Sequence, residues 1–366
     1  MPSISICMIV RDEERLLPEF LKGIEGCFDQ LVVVDTGSQD GTADILTAAG
    51  AEVHAMPWQD DFALVRNESL RHARGDFVLV LDADEFATPA FRNELRAIVA
   101  DDGIGAASIH RADEQRNGIA RHSRPLRLFR RDLSIRYRCR IHEDASASID
   151  AMLKANDLRL VRMEAPIRHI GYLQARMDER GKADRDERLL RLAIADDPND
   201  LYSRYKLLEL YRFWQRAELA KVIARDCLRL LDAGARVSPA HIAGDLLDMV
   251  RLAIHGSDDR RGLVFLETRA AIAGHTGHYH LTRGALLENL KAFGEAQNSF
   301  RRALDLAARD PARLFIETRA LMGLTRLALA TGNIDGARRT TAAAVRIAPD
   351  DAEVKLVSGF LGSLPG

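Results

Sequence analysis

Two aspartates, Asp82 and Asp84, follow directly on an apolar run, and this arrangement predicts a site for a divalent cation. Residues 77–81 are uninterruptedly apolar and indicate a buried strand. Side chains at i and i+2 of an extended backbone point to the same side. Both carboxylates would therefore face the crevice at the carboxyl end of a parallel strand, where open α/β sheets bind ligands. Carboxylate oxygens suit Mg²⁺ or Mn²⁺, which add water and phosphate oxygens. An acidic surface turn is the alternative.

The segments around these aspartates alternate between strand and helix patterns. Strand patterns occupy residues 3–10, 30–35, 52–56 and 76–81. Helix patterns lie between them, over residues 14–27, 42–49 and 62–73, and Thr88-Pro89 opens another helix. Further strand patterns occupy residues 106–111, 126–130 and 135–141. Helices between strands predict parallel strands with right-handed crossovers, and the later strands predict an antiparallel addition. The first half of the chain is thus expected to be a Rossmann-like α/β domain.

The bulk properties of the chain narrow its class. Its 366 residues suffice for two domains, and its net charge of −2 gives no reason to expect nucleic acid as a partner. The four cysteines are Cys7, Cys27, Cys139 and Cys227. Their wide scatter fits reduced thiols better than a disulfide or metal framework. Since apolar stretches stay short of 18 residues, we expect no transmembrane segment and a cytoplasmic location.

The second half of the chain shows a helical pattern with internal similarity. Strand patterns stop near residue 173, and Ala, Leu and Arg then dominate. The pattern Ala296-x3-Phe300-x2-Ala303 returns as Ala337-x3-Thr341-x2-Ala344, with a fainter copy at Ala220-x3-Ala224-x2-Cys227. Small residues at these positions let paired helices approach closely, which is typical of tetratricopeptide repeats. An Ala-rich helical bundle is the alternative. We predict two domains, residues 1–175 and residues 176–366.

Short motifs follow one another in order along the first domain. They occupy residues 6–14 (ICMIVRDEE), 31–42 (LVVVDTGSQDGT), 66–67 (RN) and 81–85 (LDADE). In this order and spacing the chain resembles the family 2 glycosyltransferases of the GT-A fold. Later motifs occupy residues 127–130 (RLFR), 140–143 (RIHE) and 167–172 (IRHIGY). These resemble the bacterial branch in which tetratricopeptide-like helices follow the catalytic domain. The resemblance covers residues 3–175 well and the remainder only in kind.

The resemblance implies a nucleoside-diphosphate sugar donor, bound by the loops after the first two strands. Val10, Arg11 and Glu13 would line the nucleotide, and Asp35 would contact its base or ribose. A helix starting near Arg11 also offers free N–H groups to phosphate, although Glu13 favours such a helix start without any ligand. Many relatives carry a second Asp after Asp35 that reads uracil. Thr36 stands there in this chain, which leaves the nucleotide base open.

The resemblance also implies how a cation would act at the two aspartates. Mn²⁺ or Mg²⁺ would bridge the two phosphates of the donor and neutralise the departing diphosphate. Asp84 is expected as the direct ligand, and Asp82 as the carboxylate nearer the sugar or ribose. His169 would be a third metal ligand or a phosphate contact. A structural histidine beneath Tyr172 is the alternative for His169.

The resemblance further implies an acid that activates the acceptor. Transfer to a hydroxyl or thiol needs a base within hydrogen-bond reach of the attacking group. The family carries that acid where this chain has His142, Glu143 and Asp144. We expect Glu143 to be the base, with Asp144 as the second choice, and His142 to orient the base or contact phosphate. A single carboxylate of this kind suits an inverting displacement.

Two features allow a functional and a structural interpretation. Arg66 and Asn67 match donor-binding positions of the family, but they also fit a solvated helix face. Arginines crowd residues 116–140, where Asp132 is the single acid. This run could meet the donor diphosphate or an anionic acceptor, or it could be a solvated face balanced by acids elsewhere.

The sequence therefore predicts a metal-dependent, inverting glycosyltransferase with a helical repeat domain. The repeat helices would present a face for the acceptor, for a partner or for self-association. Repeat surfaces suit extended chains, which favours a protein or peptide acceptor, and a glycan is the other candidate. A non-catalytic scaffold that retains the fold is one alternative. A sugar-phosphate nucleotidylyltransferase is another, but residues 11–14 contain no glycine for the phosphate loop of that class.

Overall fold

The chain divides into two units that differ in secondary structure. The computed structural model describes residues 2–113, 121–170, 179–308, 310 and 312–364. Its units are Met1–Ala193 and Ile194–Gly366. The predicted boundary after residue 175 lies outside the described residues and stays a prediction. The first unit is α/β and the second is all helix. The predicted order of fold classes is confirmed.

A mixed sheet forms the centre of the first unit. Within the described residues its strands are β1 Ile4–Val10, β2 Gln30–Asp35, β3 Glu52–Ala55, β4 Phe77–Val80, β5 Glu85–Ala87, β6 Ile104–Asp113, β7 Arg121–Ser123, β8 Leu126–Arg130 and β9 Arg159–His169. They lie in the order β3-β2-β1-β4-β8-β6-β9-β5, and β7 pairs with β6. Strands β1 to β4 run parallel to one another, as predicted, and β8 runs antiparallel to β4.

Helices connect these strands and pack against the sheet. They are α1 Leu17–Ile24, α2 Thr42–Ala48, α3 Phe62–His72, α4 Pro89–Val99 and α5 Ser146–Ala155. A further helix, α6 Glu179–Asp196, comes after β9 in the chain. The Asp61 side chain accepts a hydrogen bond from the Leu64 N–H at the start of α3, and the Thr88 side chain accepts one from the Phe91 N–H at the start of α4. Strands β2 and β4 are buried along their whole length. Burial on both faces explains why they read as continuous apolar runs.

A tight acidic turn follows β4 and leads into β5. The Glu85 N–H donates to the Asp82 carbonyl at 3.0 Å, and the Asp82 N–H donates to the Glu85 carboxylate at 3.0 Å. This reciprocal pair closes the turn. Asp82 and Asp84 are thereby held at the end of β4, where the sequence predicts them.

Strand β9 lies between β6 and β5, and its register brings distant residues together. Asp113 of β6 is the neighbour of His169 in the parallel pair. Glu85 of β5 is the neighbour of His169 in the antiparallel pair. A slip of one residue would turn every side chain of β9 to the opposite face, so this register determines what surrounds His169.

The prediction of a strand over residues 135–141 is wrong. This segment is a loop with one isolated bridge, between Arg138 and Asp144. Ile135, Tyr137 and Ile141 are buried in alternation, which mimics a strand pattern. The loop instead attaches to α3, because the Phe62 N–H donates to the Arg140 carbonyl at 2.8 Å. Strands β5, β7 and β9 and helix α5 were not predicted.

Paired helices build the second unit. They are α7 Leu201–Phe213, α8 Ala217–Asp232, α9 Ala243–His255, α10 Asp259–Glu267, α11 Ala270–Ala273, α12 Gly277–Asn289, α13 Phe293–Ala307, α14 Arg313–Ala330, α15 Ile334–Ile347 and α16 Ala352–Ser363. None of the helices in the described part of the chain combines the length and apolar character needed to cross a membrane.

The repeat pattern marks the helix contacts of this unit. Ala296, Phe300 and Ala303 of α13 are buried, and their counterparts Ala337, Thr341 and Ala344 of α15 are buried too. The Phe300 ring lies between two glycines. A methyl group added to Gly284 of α12 would come within 2.7 Å of this ring, and one added to Gly323 of α14 within 2.5 Å. Glycine at both positions therefore permits the close helix approach that the pattern predicts.

Candidate active site

Asp82 is held by two arginines at the end of β4. Arg66 Nη2 donates to Asp82 Oδ1 at 2.5 Å, and Arg127 Nη2 donates to Asp82 Oδ2 at 3.2 Å. Burial alone would raise the pKa of Asp82, but these guanidinium groups outweigh burial and hold it below its usual range. Both carboxylate oxygens are thus engaged with cations of the protein. Asp82 is ionised and fixed, and less available than Asp84 to coordinate a metal directly.

Arg66 also reaches the predicted base. Its Nε donates to Glu143 Oε1 at 3.1 Å, while its Nη2 holds Asp82. Arg66 is 4% exposed, so this is a buried ion pair network rather than a solvated helix face. Glu143 keeps 15% of its side chain exposed. One guanidinium therefore ties the predicted base to the carboxylates after β4.

Asn67 holds the loop that carries Glu143. Its Nδ2 donates to the Tyr137 carbonyl at 2.9 Å, and its Oδ1 accepts from the Tyr137 N–H at 2.8 Å. The amide is thus committed to the main chain, and a direct contact with a nucleotide would break these bonds. The structure gives Asn67 the task of positioning the loop.

Asp84 faces His169 across the acidic turn. Asp84 Oδ2 lies 3.2 Å from His169 Nε2, and His169 Nδ1 lies 2.6 Å from Asp113 Oδ1. Burial lowers the pKa of His169, but Asp84 and Asp113 outweigh burial and raise it above its ordinary value. His169 is therefore enclosed by two carboxylates. Tyr172, which the alternative interpretation places above His169, lies outside the described residues.

Asp84 and His169 fit a six-coordinate divalent cation. Two neighbouring ligands, each about 2.1 Å from such an ion, stand about 3 Å apart, which agrees with the 3.2 Å between Oδ2 and Nε2. Among the described residues, no group of three or more His, Cys, Asp or Glu side chains is arranged to hold a metal ion. An ion held by this pair would take its other ligands from phosphate and water, which is usual for Mg²⁺.

Glu13 adds to the negative charge of the site. Burial, followed by the repulsion of Asp84 and Asp82, raises the pKa of Glu13 to about 7. Arg11 beside it is largely exposed. A cavity of about 330 Å³ opens along this loop and is lined by Asp12, Glu13, Glu14, Arg15, Leu16 and Asp40. An excess of carboxylate near Asp84 favours a bound cation.

The loops after β1 and β2 are joined by hydrogen bonds. The Val10 carbonyl accepts from both the N–H and the hydroxyl of Thr36, each at 3.0 Å. Asp35 Oδ1 accepts from the N–H groups of Gly37 and Ser38 at 2.9 and 2.8 Å. One oxygen of Asp35 therefore shapes the turn. The Thr36 hydroxyl already donates to the Val10 carbonyl, so it gives no indication of which nucleotide base is bound.

Asp144 and His142 differ from Glu143 in their surroundings. Asp144 Oδ1 accepts from the Ser146 hydroxyl at 2.7 Å, and its Oδ2 accepts from the Ser146 N–H at 3.2 Å at the start of α5. His142 is exposed and has a left-handed backbone, with φ of 55°. Asp144 thus has a structural task. Of the two acids, Glu143 is the one that contacts the Arg66 network.

Three residues of the site were not assigned from the sequence. Arg127 binds Asp82, Glu85 closes the turn, and Asp113 holds His169. Burial raises the pKa of Glu85, the attraction of Arg127 opposes this rise, and the repulsion of Asp82 adds to it. Arg127 and Glu85 lie inside recognised motifs and could have been singled out. Asp113 lies in no motif, so only the strand register reveals it.

The arginine-rich run has mainly structural contacts within the described residues. Arg124 donates to the Met163 carbonyl and to Glu164. Arg130 donates to the carbonyls of Ile104 and Asp102. Arg127 alone of these three reaches the acidic turn. Arg116, at the start of the run, lies outside the described residues.

The chain matches two family models. Residues 5–155 match glycosyl transferase family 2, and residues 290–358 match a tetratricopeptide repeat. The first match runs from β1 to the end of α5 and contains Asp82, Asp84 and Glu143. It ends before His169. The second match covers α13 to α15 and part of α16.

The sequence relatives include a repeat protein and a sugar transferase. A tetratricopeptide-repeat-containing protein of Synechococcus elongatus is 39% identical over 209 residues, which cover 57% of this chain and 52% of that protein. The undecaprenyl-phosphate 4-deoxy-4-formamido-L-arabinose transferase of Shewanella sediminis is 28% identical over 180 residues, covering 42% of this chain and 51% of that enzyme. The chain thus spans about half the length of these curated relatives.

Solved structures show a more distant likeness. Glucosyl-3-phosphoglycerate synthase from Mycobacterium tuberculosis, in complex with Mn²⁺, uridine diphosphate and glucosyl-3-phosphoglycerate, is 17% identical with a TM-score of 0.35. The match covers 52% of this chain and 78% of that one. At that TM-score the likeness supports no inference about function.

The fold, the acidic turn and the family matches together define the class. Residues 5–155 are a glycosyltransferase family 2 domain built on a GT-A-like sheet. A helical, tetratricopeptide-like region follows this domain. The predicted family and fold class are confirmed.

Proposed function

We propose that this chain transfers a sugar from a nucleoside-diphosphate donor to an acceptor at the site formed by Asp84, Asp82 and Glu143. One observation carries the proposal. The Arg66 guanidinium binds Asp82 and Glu143 at once, at 2.5 and 3.1 Å. The candidate base is thereby fixed beside Asp82, the carboxylate proposed to face the sugar or ribose, which supports a direct displacement at the anomeric carbon.

The donor is proposed to lie along the loops after β1 and β2. Val10, Arg11, Glu13 and Asp35 line this edge of the sheet, at the carboxyl ends of parallel strands. Arg11 is exposed and can reach a phosphate. Thr36 has no carboxylate, and its hydroxyl donates a hydrogen bond to the Val10 carbonyl. The proposal therefore leaves the base of the nucleotide open.

Mn²⁺ or Mg²⁺ is the proposed cofactor, held by Asp84 and His169. When bound, the ion would neutralise the charge that develops on the departing nucleoside diphosphate. Asp82 is proposed to stay with Arg66 and Arg127 and to face the sugar or ribose. His142 and Asp144 keep secondary parts, since Asp144 also holds the start of α5.

Glu143 is the proposed general base. Its carboxylate would take the proton of the acceptor hydroxyl or thiol as the new bond to the anomeric carbon forms, and Arg66 would keep it oriented. A single displacement of this kind inverts the anomeric configuration. Helical repeats offer long surfaces to extended chains, which supports a protein or peptide acceptor, with a glycan as the second choice.

The proposal is tested by the release of nucleoside diphosphate from a panel of UDP-, GDP- and dTDP-sugars with and without Mn²⁺. We expect one class of donor to be consumed slowly, with water as the acceptor, only when the metal is present. Asp84→Asn should abolish the release. If the folded wild type releases no more nucleoside diphosphate from any donor than a protein-free control, the proposed activity is contradicted.

A further inference from the structure

Asp113 is a buried carboxylate that no motif of the sequence marks. It is 2% exposed and lies at the end of β6. Its Oδ1 is 2.6 Å from His169 Nδ1, a hydrogen-bond distance. A carboxylate is an acceptor at this position, so the hydrogen of that bond belongs to the imidazole. The other ring nitrogen, Nε2, faces Asp84 at 3.2 Å.

We infer that Asp113 is a positioning residue that keeps the hydrogen of the neutral His169 imidazole on Nδ1 and so presents the Nε2 lone pair to a divalent cation beside Asp84. The inference rests on the proposed function, since it concerns the cation of that site. A histidine that binds a metal through one nitrogen usually donates its other N–H to a carboxylate or carbonyl, which sets both tautomer and ring orientation.

The surroundings of Asp113 fix it in place. Arg111 Nε lies 3.0 Å from the same Oδ1, and Arg111 Nη1 lies 3.4 Å from Glu85 Oε1. Arg111 thus balances the charge of two buried acids, Asp113 and Glu85. Since Asp113 and Glu85 stand beside His169 on the two neighbouring strands, β6 and β5, the sheet register holds all three side chains together.

A purely structural role for Asp113 makes different predictions. If its carboxylate only neutralised Arg111, its removal would lower stability without changing the tautomer of His169. If it sets the tautomer, its removal takes away the acceptor at Nδ1 while Asp84 can still accept at Nε2, and the hydrogen moves to Nε2, where it blocks the lone pair. The affinity for the metal and the tautomer therefore distinguish the two roles.

The first test is Mn²⁺ affinity, measured by electron paramagnetic resonance of free Mn²⁺, alone and with UDP or GDP. We expect Asp113→Ala to bind Mn²⁺ about ten-fold more weakly or worse. Asp113→Asn should retain most of the affinity, because its amide oxygen can still accept from Nδ1–H. Asp101→Ala is the matched control, since Asp101 pairs with Arg159 at the far end of β9 and should leave the affinity unchanged.

The second test reads the tautomer of His169 in the metal-free wild type by ¹⁵N NMR at pH 9, assigned with His169→Gln. It needs no variant of Asp113 and holds even if Asp113→Ala does not fold. We expect the hydrogen on Nδ1. A hydrogen on Nε2, or an Asp113→Ala protein that binds Mn²⁺ like the wild type, would overturn the inference. Failure of the wild type to bind Mn²⁺ would instead contradict the metal of the proposed function, and the NMR result would still decide the role of Asp113.

Discussion

The acidic side chains of the site differ in what balances their charge. Asp82 lies against Arg66 and Arg127, and Asp84 lies against His169. Glu13 is instead repelled by Asp84 and Asp82, and burial followed by this repulsion raises its pKa to about 7. At the residue scale, the charge that a cation would neutralise is therefore concentrated around Glu13 and Asp84.

Glu13→Gln should stabilise the metal-free protein at pH 8 but hardly at pH 4.5. The pKa of Glu13 is raised on folding, from an ordinary 4.5 to about 7. The unfolded chain therefore loses this proton first, and the free energy of unfolding falls as pH rises from 4.5 to 7. If solvent screening reduces the rise in pKa to about 1, the substitution raises the free energy of unfolding at pH 8 by about 1.4 kcal/mol. Thermal unfolding at both pH values checks this. An equal effect at both would contradict the assigned shift.

Glu143→Gln should stop transfer while it preserves donor binding. The amide oxygen of glutamine can still accept from Arg66 Nε, so the network around Asp82 should persist. A missing general base costs about 10²- to 10⁴-fold in rate. The measurement is the rate of nucleoside-diphosphate release beside the dissociation constant of the nucleotide.

Asp144→Asn is the control for that experiment. Asparagine can still accept from Ser146 at the start of α5, and the variant should keep most of the wild-type rate. A Glu143→Gln protein that transfers at a comparable rate would place the base elsewhere.

At the element scale, the strands differ in how well the sequence predicts them. Strands β2 and β4 are single apolar runs, and a local pattern suffices to find them and the aspartates after them. Strand β9 contains Pro166 and several exposed polar residues, and its pairing depends on β5 and β6, which are distant in sequence. The environment of His169 follows from this register, so it could not be predicted locally. Residues 135–141 show the opposite error, a strand predicted where the structure has a loop. Side chains of this loop are buried in alternation, which gives the sequence the pattern of a strand.

Gly323→Ala should destabilise the helical unit by about 1–3 kcal/mol, as overpacking of a filled core does. The added methyl group would lie 2.5 Å from the Phe300 ring. Chemical denaturation followed by circular dichroism measures the loss. Gly294→Ala in α13 is the matched control, since nothing lies within 4 Å of the added group.

For that control we expect unchanged or slightly higher stability, because alanine favours a helix. Equal effects of the two substitutions would show that Phe300 does not fill the space between Gly284 and Gly323.

At the scale of the whole molecule, the chain joins a glycosyltransferase family 2 domain to a tetratricopeptide-like region. The order of the two classes was predictable, since the change from strand to helix patterns is a property of long segments. The acceptor follows from neither region, because repeat helices bind many kinds of chain through surface side chains.

The most direct test of the central claim is a thermal-shift panel of UDP, GDP, dTDP and CMP, each with and without Mn²⁺, on the wild type and Asp84→Asn. A ligand at about 100 times its dissociation constant adds about 2.7 kcal/mol of stability, which raises the melting temperature by a few degrees. We predict a shift for one nucleotide that requires Mn²⁺ and is absent in Asp84→Asn. A shift that persists in Asp84→Asn, or no shift with any nucleotide, would contradict a metal-dependent donor site at the end of β4.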